Sequence, residues 1–131
     1  MENYEIKIID IDLLKPHEMI VECHLLKLAE EIKRDGLIKD PIIVDRNTMI
    51  ILDGHHRFNA LKRMGMNFCP VCLVDYKNEN IKVGCWRKNE NVTKEKVIAA
   101  GITGKLLVPK TSKHEIPGRP VSLMIPLEKL R

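Results

Sequence analysis

The stretch ILDGHHRFNALKRMG, residues 51–65, joins an apolar run to Asp-Gly, two histidines and an arginine, and then to a helical pattern. Its second half repeats apolar residues at the spacing of one helix face and ends on a glycine. The pattern predicts a strand over 49–53 that leads directly into a helix over 54–64. A strand-to-helix junction is a poor place for core residues, so its polar cluster points to a bound anion.

Five residues at this junction have the chemistry of a phosphate site. The start of a helix leaves backbone N–H groups unpaired, and together with the helix dipole these groups attract anions. Gly54 lets a ligand approach the backbone, and Arg57 can hold two phosphate oxygens at once. His55 and His56 can donate hydrogen bonds or move protons, and the Asp53 carboxylate suits Mg²⁺ beside phosphates. The alternative is that Asp53 caps the helix and both histidines lie on the surface.

Strand and helix patterns mix along the rest of the chain without the regular alternation of a parallel α/β fold. We therefore predict an α+β fold with a mixed β-sheet flanked by a few helices, in a single compact domain over 1–131. Gly36 is expected to end the first helix, and Thr93 to cap the third. Strands are predicted over 4–11, 41–46, 49–53, 67–76 and 81–86, helices over 22–35, 54–64 and 93–101, and extended segments over 106–114 and 120–130.

The charge of the chain is mildly positive, +4 at neutral pH. So small an excess suits a phosphate-bearing small molecule as well as a nucleic acid, and it selects neither. The sequence shows no signal peptide and no apolar run near the ~20 residues that span a bilayer. We therefore expect a cytoplasmic protein with reduced thiols and no membrane partner.

Four cysteines raise the question of a zinc or redox site. Cys69 and Cys72 form a CxxC pair, but they lie in a strand pattern, where residues three apart face opposite sides of the sheet. Cys23 and Cys85 are isolated, whereas a structural zinc normally needs a second close pair of ligands. We therefore expect small core residues, with zinc and thioredoxin-like chemistry as the alternatives.

Two further residues are open to a functional and a structural interpretation. Glu18 follows the first strand in LKPHE, where a partly desolvated carboxylate could act as a general base. Taken alone, the stretch favours an acid on the protein surface. Trp86 could wall a small-molecule pocket, but a core position is the more ordinary prediction for a single tryptophan at the end of a strand.

The segment KTSKH gathers two ammoniums, two hydroxyls and an imidazole in five consecutive positions. Such a group makes a good phosphate cradle, and the alternative is a solvated loop. The residues are Lys110, Thr111, Ser112, Lys113 and His114.

The sequence DGHHR, between an apolar strand and a helix, resembles the ParB/sulfiredoxin superfamily, in which a Gly-x-x-Arg turn binds nucleotide phosphates. Three segments in order, LKPHE (14–18), ILDGHHRFNALKRMG (51–65) and PKTSKHEIP (109–117), resemble the archaeal free L-serine kinases. The resemblance covers most of the chain. It implies a ParB/sulfiredoxin-like nucleotide-binding domain that uses ATP or ADP, with Mg²⁺, to phosphorylate free L-serine. The product, O-phospho-L-serine, is a precursor for cysteine biosynthesis.

The resemblance also implies a role for each residue in these motifs. Glu18 would take the proton of the serine hydroxyl, and Asp53 would organise Mg²⁺ or the hydroxyl. Trp86 would line the serine pocket. The turn Gly54, His55, His56 and Arg57 would hold the nucleotide phosphates, and Lys110, Thr111, Ser112, Lys113 and His114 would bind the substrate and the phosphate of the product.

The chain departs from those kinases in two respects. Extra residues that those kinases carry between the third helix and PKT are absent from this chain. We expect their absence to affect the choice of nucleotide, the closure of the site or oligomerisation. A partner chain or a homo-oligomer is one way in which the missing residues could be replaced. Ser112 and Lys113 stand where Thr and Arg are expected, and lysine lacks the two-pronged fork of arginine. The acceptor is therefore less well defined than phosphoryl transfer itself.

Three other functions compete with a kinase. A ParB-like, nucleotide-dependent DNA-binding module would normally carry a helix-turn-helix and a larger basic excess, so a nucleic-acid partner is not expected. A sulfiredoxin-type reductase needs a cysteine in the Gly-x-x-Arg turn, and this turn has histidines. A nucleotide-sensing module without catalysis is separated from a kinase only by a turnover assay.

Overall fold

The computed structural model describes residues 4–86 and 91–131, and it shows a mixed β-sheet with three helices. The predicted α+β class is therefore confirmed. The strands are β1 (Glu5–Asp10), β2 (Leu37–Ile38), β3 (Ile42–Asp45), β4 (Ile51–Asp53), β5 (Phe68–Val74), β6 (Lys82–Cys85), β7 (Ser112–Glu115) and β8 (Ile125–Pro126), and the helices are α1 (Glu22–Asp35), α2 (His55–Arg63) and α3 (Lys94–Thr103). Short 3₁₀ turns follow β1 at Ile11–Leu13 and β8 at Leu127–Leu130. None of the helices in the described ranges combines the length and the apolar composition that crossing a bilayer requires.

The main sheet has the strand order β1-β5-β3-β4. β1 runs antiparallel to β5, β5 parallel to β3, and β3 antiparallel to β4, so the sheet is mixed as expected. Two small pairs, β2 with β8 and β6 with β7, lie outside it. The β3–β4 turn is held by the buried Asp45 carboxylate, which accepts hydrogen bonds from the Thr48 hydroxyl (2.7 Å) and the Tyr76 N–H (3.1 Å).

The two faces of the sheet bury two separate apolar clusters, because side chains alternate along each strand. On β5, Cys69 belongs to the cluster under α1 and α2, and Cys72 to the cluster on the opposite face. The prediction that the two thiols face opposite sides is confirmed. Burial raises the pKa of Cys69 to about 12 and that of Cys72 to about 11, so both stay protonated and unreactive. The prediction of a core position is wrong for Cys23, which is exposed on α1.

The helix ends follow the sequence closely. Gly36 ends α1 with a left-handed backbone (φ 68°), and the Thr93 side chain accepts a hydrogen bond from the Lys96 N–H at 3.2 Å as the cap of α3. The segment over 106–114, expected as a strand or extended piece that runs into a polar loop, has its strand in a different part from the one predicted. Its strand, β7, lies in the polar second half because residues 112–115 pair with β6.

Gly101 of α3 packs closely against the sheet, so adding a side chain there is expected to destabilise the fold. A Cβ there would lie 2.7 Å from the side chain of Ile50, which is fully buried. We expect Gly101→Ala to lower the free energy of unfolding by about 1–2 kcal/mol, because overpacking outweighs the gain in helix propensity. Chemical denaturation measures this loss. Gly84→Ala, where no heavy atom lies within 4 Å, is the control, and an equal loss in both variants would contradict the packing argument.

Candidate functional site

A cleft of about 530 Å³ opens over the start of α2. Its walls come mainly from the loop after β1, the β4–α2 junction, and β7 with the segment that follows it, and Leu28 of α1 and Trp86 after β6 complete them. The lining residues are Glu18, Leu28, Leu52, Asp53, Gly54, His55, His56, Arg57, Trp86, Ser112, Lys113, His114 and Arg119. Ten of these were expected from the sequence, so folding brings the three motifs to one place.

The β4–α2 junction fixes the backbone at Gly54. Its φ of 104° is disfavoured for residues with a side chain, and a Cβ would lie 3.0 Å from a terminal nitrogen of Arg57 and 3.1 Å from Ile42. No acidic residue stands in the first turn of α2. The free N–H groups of that turn therefore present a positive field to the cleft, as an anion site requires.

The two histidines of the turn bind the loop over residues 15–21. Nε2 of His55 accepts a hydrogen bond from the His17 N–H at 3.1 Å, and Nε2 of His56 accepts one from the Val21 N–H at 3.0 Å. Burial, with the charges of its histidine neighbours, holds the pKa of His55 well below its usual range. Both Nε2 atoms therefore act as neutral acceptors that fix the loop, and the backbone of the turn is left to meet an anion.

Glu18 lies at the inner wall of the cleft. Its Oε1 accepts three hydrogen bonds, from the N–H groups of Thr111 (3.0 Å) and Ser112 (2.8 Å) and from the Ser112 hydroxyl (3.0 Å). The residue is only partly exposed, and it forms a β-bridge with Leu107. The surface position favoured by its local sequence is therefore wrong. The carboxylate is held in one orientation by a segment almost a hundred residues later.

Two arginines stand around Asp53. Arg119 donates to its carboxylate at 2.7 Å, whereas one terminal nitrogen of Arg57 donates to the carbonyls of Asp40 (3.0 Å) and Pro41 (3.3 Å). Burial alone would raise the pKa of Asp53, but the charge and hydrogen bond of Arg119 bring it below the usual value. Arg119 was missed by sequence reasoning, since no motif marks it and only the fold brings it to Asp53.

Trp86 stands at the rim of the cleft with 62% of its surface exposed. The core position predicted from the sequence alone is therefore wrong. Lys113 lies over the indole, with its Nζ 4.6 Å from the ring centroid, and the pair forms a cation–π contact. Together they give the cleft one wall that is both aromatic and positive.

The KTSKH segment divides between the cleft and the scaffold. Ser112, Lys113 and His114 line the cleft, whereas Lys110 and Thr111 do not. The Thr111 side chain is buried and donates to the Val108 carbonyl at 2.6 Å, and Lys110 is exposed.

His114 lines the cleft at its floor, and His17 lies behind it in the core. Burial lowers the pKa of His114 to about 3, and its Nε2 lies 2.8 Å from the Tyr76 hydroxyl. His17 is fully buried, with its ring centroid 4.5 Å from that of His55 and 5.9 Å from that of His114. His17 belongs to the LKPHE segment, and its burial follows from the tertiary structure.

The carboxylates of the cleft fit Mg²⁺ only when a nucleotide supplies further ligands. Among the described residues, no three His, Cys, Asp or Glu side chains stand close enough to hold a metal ion. Asp53 and Glu18 are the carboxylates of the cleft. Mg²⁺ is usually bound by one or two carboxylates together with substrate phosphates. The cleft therefore suits Mg²⁺ that arrives with a nucleotide and does not suit a resident metal held by protein ligands alone.

Comparison with known proteins places most of the chain in one family. Residues 1–85 match the model of the ParB N-terminal domain. An ATP-dependent L-serine kinase of Staphylothermus marinus is 38% identical over 90 residues, 66% of this chain and 36% of that protein. A ParB-like protein of Sulfolobus acidocaldarius is 35% identical over 88 residues, 67% of this chain and 44% of that protein. The chain thus matches less than half the length of these relatives.

Solved structures extend the likeness to nearly the whole fold. A free serine kinase in complex with AMP superposes with a TM-score of 0.88 at 18% identity, covering 96% of this chain and 93% of that chain. A conserved hypothetical protein from Pyrococcus furiosus gives a TM-score of 0.90 at 18% identity, covering 97% of each chain. At this identity the match establishes a shared fold.

Proposed function

The chain belongs to the ParB N-terminal domain family, and from that premise we propose a small-molecule kinase. It transfers a phosphoryl group from an adenine nucleotide to the hydroxyl of free L-serine and releases O-phospho-L-serine. The observation that carries this proposal is one cleft in which a fixed carboxylate, Glu18, faces the anion-binding start of α2. The names of the relatives from Staphylothermus marinus and, at 30% identity, Thermococcus kodakarensis support the choice of acceptor.

The nucleotide phosphates bind at the start of α2. The N–H groups of residues 55–57 and the helix dipole supply the field, and Gly54 allows the close approach. Arg57 adds charge beneath the turn while its terminal nitrogen fixes the backbone around Asp40. His55 and His56 support this site by holding the facing loop rather than by binding phosphate through Nε2.

The acceptor hydroxyl approaches from the side of Glu18. The carboxylate takes the hydroxyl proton as the oxygen bonds to phosphorus, and the bond from phosphorus to the nucleotide oxygen breaks. Arg119 and Lys113 bring positive charge to the transferred group, which is the main requirement of phosphoryl transfer. Trp86 forms the wall against which the amino acid packs.

Asp53 is the carboxylate that would hold Mg²⁺, with the nucleotide supplying the other charged ligands. When bound, the ion neutralises phosphate charge. Arg119 already forms an ion pair with the Asp53 carboxylate at 2.7 Å, so Arg119 and Mg²⁺ would compete for that carboxylate. We also infer that residues 1–131 act as a single nucleotide-binding unit, because the cleft draws its walls from all three motifs. A cytoplasmic location stays a prediction from the sequence.

A transfer assay tests the proposal. The purified protein is incubated with Mg²⁺ and L-serine, with ATP and ADP as donors in separate reactions, and O-phosphoserine is detected by mass spectrometry. We expect product from one donor, which names it, and lower turnover with L-threonine or L-homoserine. Bound nucleotide without product from either donor would overturn the kinase and leave a nucleotide-sensing module.

A further inference from the structure

Two side chains continue the polar contacts of Glu18 into the core. Ser112 Oγ lies 3.0 Å from Glu18 Oε1 and 2.9 Å from Nε2 of His17. On the other side of the ring, His17 Nδ1 lies 2.6 Å from the carbonyl oxygen of Ile51. The chain of contacts thus runs from the cleft to a fully buried imidazole.

These contacts need one more hydrogen atom than the side chains carry. A carbonyl oxygen can only accept, so Nδ1 of His17 must carry its hydrogen toward Ile51. A neutral imidazole then has a bare Nε2. The Ser112 hydroxyl has one hydrogen and two acceptors beside it, the carboxylate of Glu18 and Nε2 of His17. One of the two contacts lacks a hydrogen until a proton is added.

The surroundings of His17 keep the Glu18–Ser112–His17 contacts without this proton until Glu18 supplies it. Burial lowers the pKa of His17, so the ring is neutral at neutral pH, and the rings of His55 and His114 beside it are kept neutral by their own burial. The negative charges of Glu18 and Asp53 act in the opposite sense and favour a positive His17. An added proton therefore has a place to go, compensated by nearby carboxylates.

We propose that Glu18, Ser112 and His17 form a proton relay that accepts the hydroxyl proton of the substrate. This inference rests on the proposed function. Glu18 takes the proton of the serine hydroxyl as the oxygen of that hydroxyl bonds to phosphorus. Ser112 passes its own hydrogen to Nε2 of His17 and takes one from Glu18 in its place. The end state is a carboxylate and an imidazolium joined by a hydroxyl, with no hydrogen missing.

The relay changes the role of Ser112 and gives a role to His17. Ser112 serves Glu18 through its hydroxyl, whereas the resemblance assigned that hydroxyl to the phosphate of the product. His17 touches neither substrate nor nucleotide and acts through Glu18, so it is a positioning residue rather than a catalytic one. After product release the imidazolium returns its proton to solvent by the same path.

Substitutions at Ser112 test the relay in turnover. Ser112→Ala removes the hydroxyl but keeps the N–H that Glu18 accepts, and Ser112→Thr keeps both. We expect kcat to fall by about tenfold to a hundredfold in the alanine variant, with the KM for nucleotide unchanged and recovery in the threonine variant. The dependence of kcat on the deuterium fraction of the solvent should change from curved to linear in Ser112→Ala. Wild-type kcat in Ser112→Ala, or equal losses in both variants, would overturn the relay.

A second measurement needs no turnover. The His17 imidazole is titrated by ¹⁵N NMR in the nucleotide-free protein and in both variants. If Ser112 Oγ accepts from the protonated ring, the midpoint falls in Ser112→Ala and stays at the wild-type value in Ser112→Thr. An unchanged midpoint in Ser112→Ala would overturn the relay even in an active kinase. The expected midpoints in a protein that forms no O-phosphoserine would instead sustain the proton chain and refute the proposed function.

Discussion

Glu18→Gln is expected to lower kcat for phosphoryl transfer by about 10²–10⁴-fold while nucleotide affinity stays close to wild type. The glutamine oxygen can still accept the N–H groups of Thr111 and Ser112, so the cleft keeps its shape. An amide cannot take the proton of the acceptor hydroxyl, and this loss appears in turnover alone. Initial rates with saturating L-serine, and calorimetric titration with the nucleotide, measure the two quantities separately.

Glu115→Gln is the matched control for that variant. Glu115 is an exposed carboxylate on β7, the strand that also carries Ser112, and it does not line the cleft. We expect its kcat within about twofold of wild type, since an exposed substitution of this kind changes little. A Glu18→Gln variant that matched this control would mean that transfer proceeds by positioning and charge neutralisation alone, without a base at Glu18.

Glutamine is a sharper substitution than alanine at this position. Glu18→Ala removes Oε1 and leaves the N–H groups of Thr111 and Ser112 without their acceptor, whereas the Ser112 hydroxyl can still donate to Nε2 of His17. That change also loosens the segment that carries Lys113. A loss in the alanine variant would therefore mix chemistry with structure, and comparison of the two variants separates these contributions.

The parts of the fold that depend on neighbours in sequence were predictable. The apolar spacing in α1, its end at Gly36 and the cap at Thr93 are local features, and each was placed correctly. The two-residue strands β2 and β8 carry no periodic pattern, because each exists only through pairing with the other. The position of β7 likewise depends on its partner β6, which the sequence of either strand does not specify.

The candidate site divides in the same way. The strand-to-helix junction around Gly54 is a short-range pattern, so its anion-binding backbone could be predicted. The partners of its side chains could not, because His55 and His56 accept from a loop more than thirty residues earlier. Arg119 is the clearest case: its ion pair with Asp53 follows from tertiary structure alone, and its local sequence resembles an ordinary surface loop.

Gly54→Ala is expected to weaken nucleotide binding at least tenfold and to lower the free energy of unfolding by about 1–3 kcal/mol. Two causes act together. A φ of 104° is strained for alanine, and the new Cβ would lie 3.0 Å from Arg57 and 3.1 Å from Ile42. Relief of the clash must move the turn or the guanidinium, and both belong to the proposed phosphate site. Nucleotide titration and chemical denaturation measure the two effects.

Gly65→Ala separates backbone strain from crowding. Gly65 follows the opposite end of α2 with a φ of 78°, and no heavy atom lies within 4 Å of its added Cβ. We expect this control to lose about 1 kcal/mol of stability from strain and no nucleotide affinity. The additional loss in Gly54→Ala then measures the crowding against Arg57 and Ile42. If Gly54→Ala kept wild-type nucleotide affinity, the phosphates would not bind at the start of α2. A methyl group at this position would weaken any phosphate contact with that backbone.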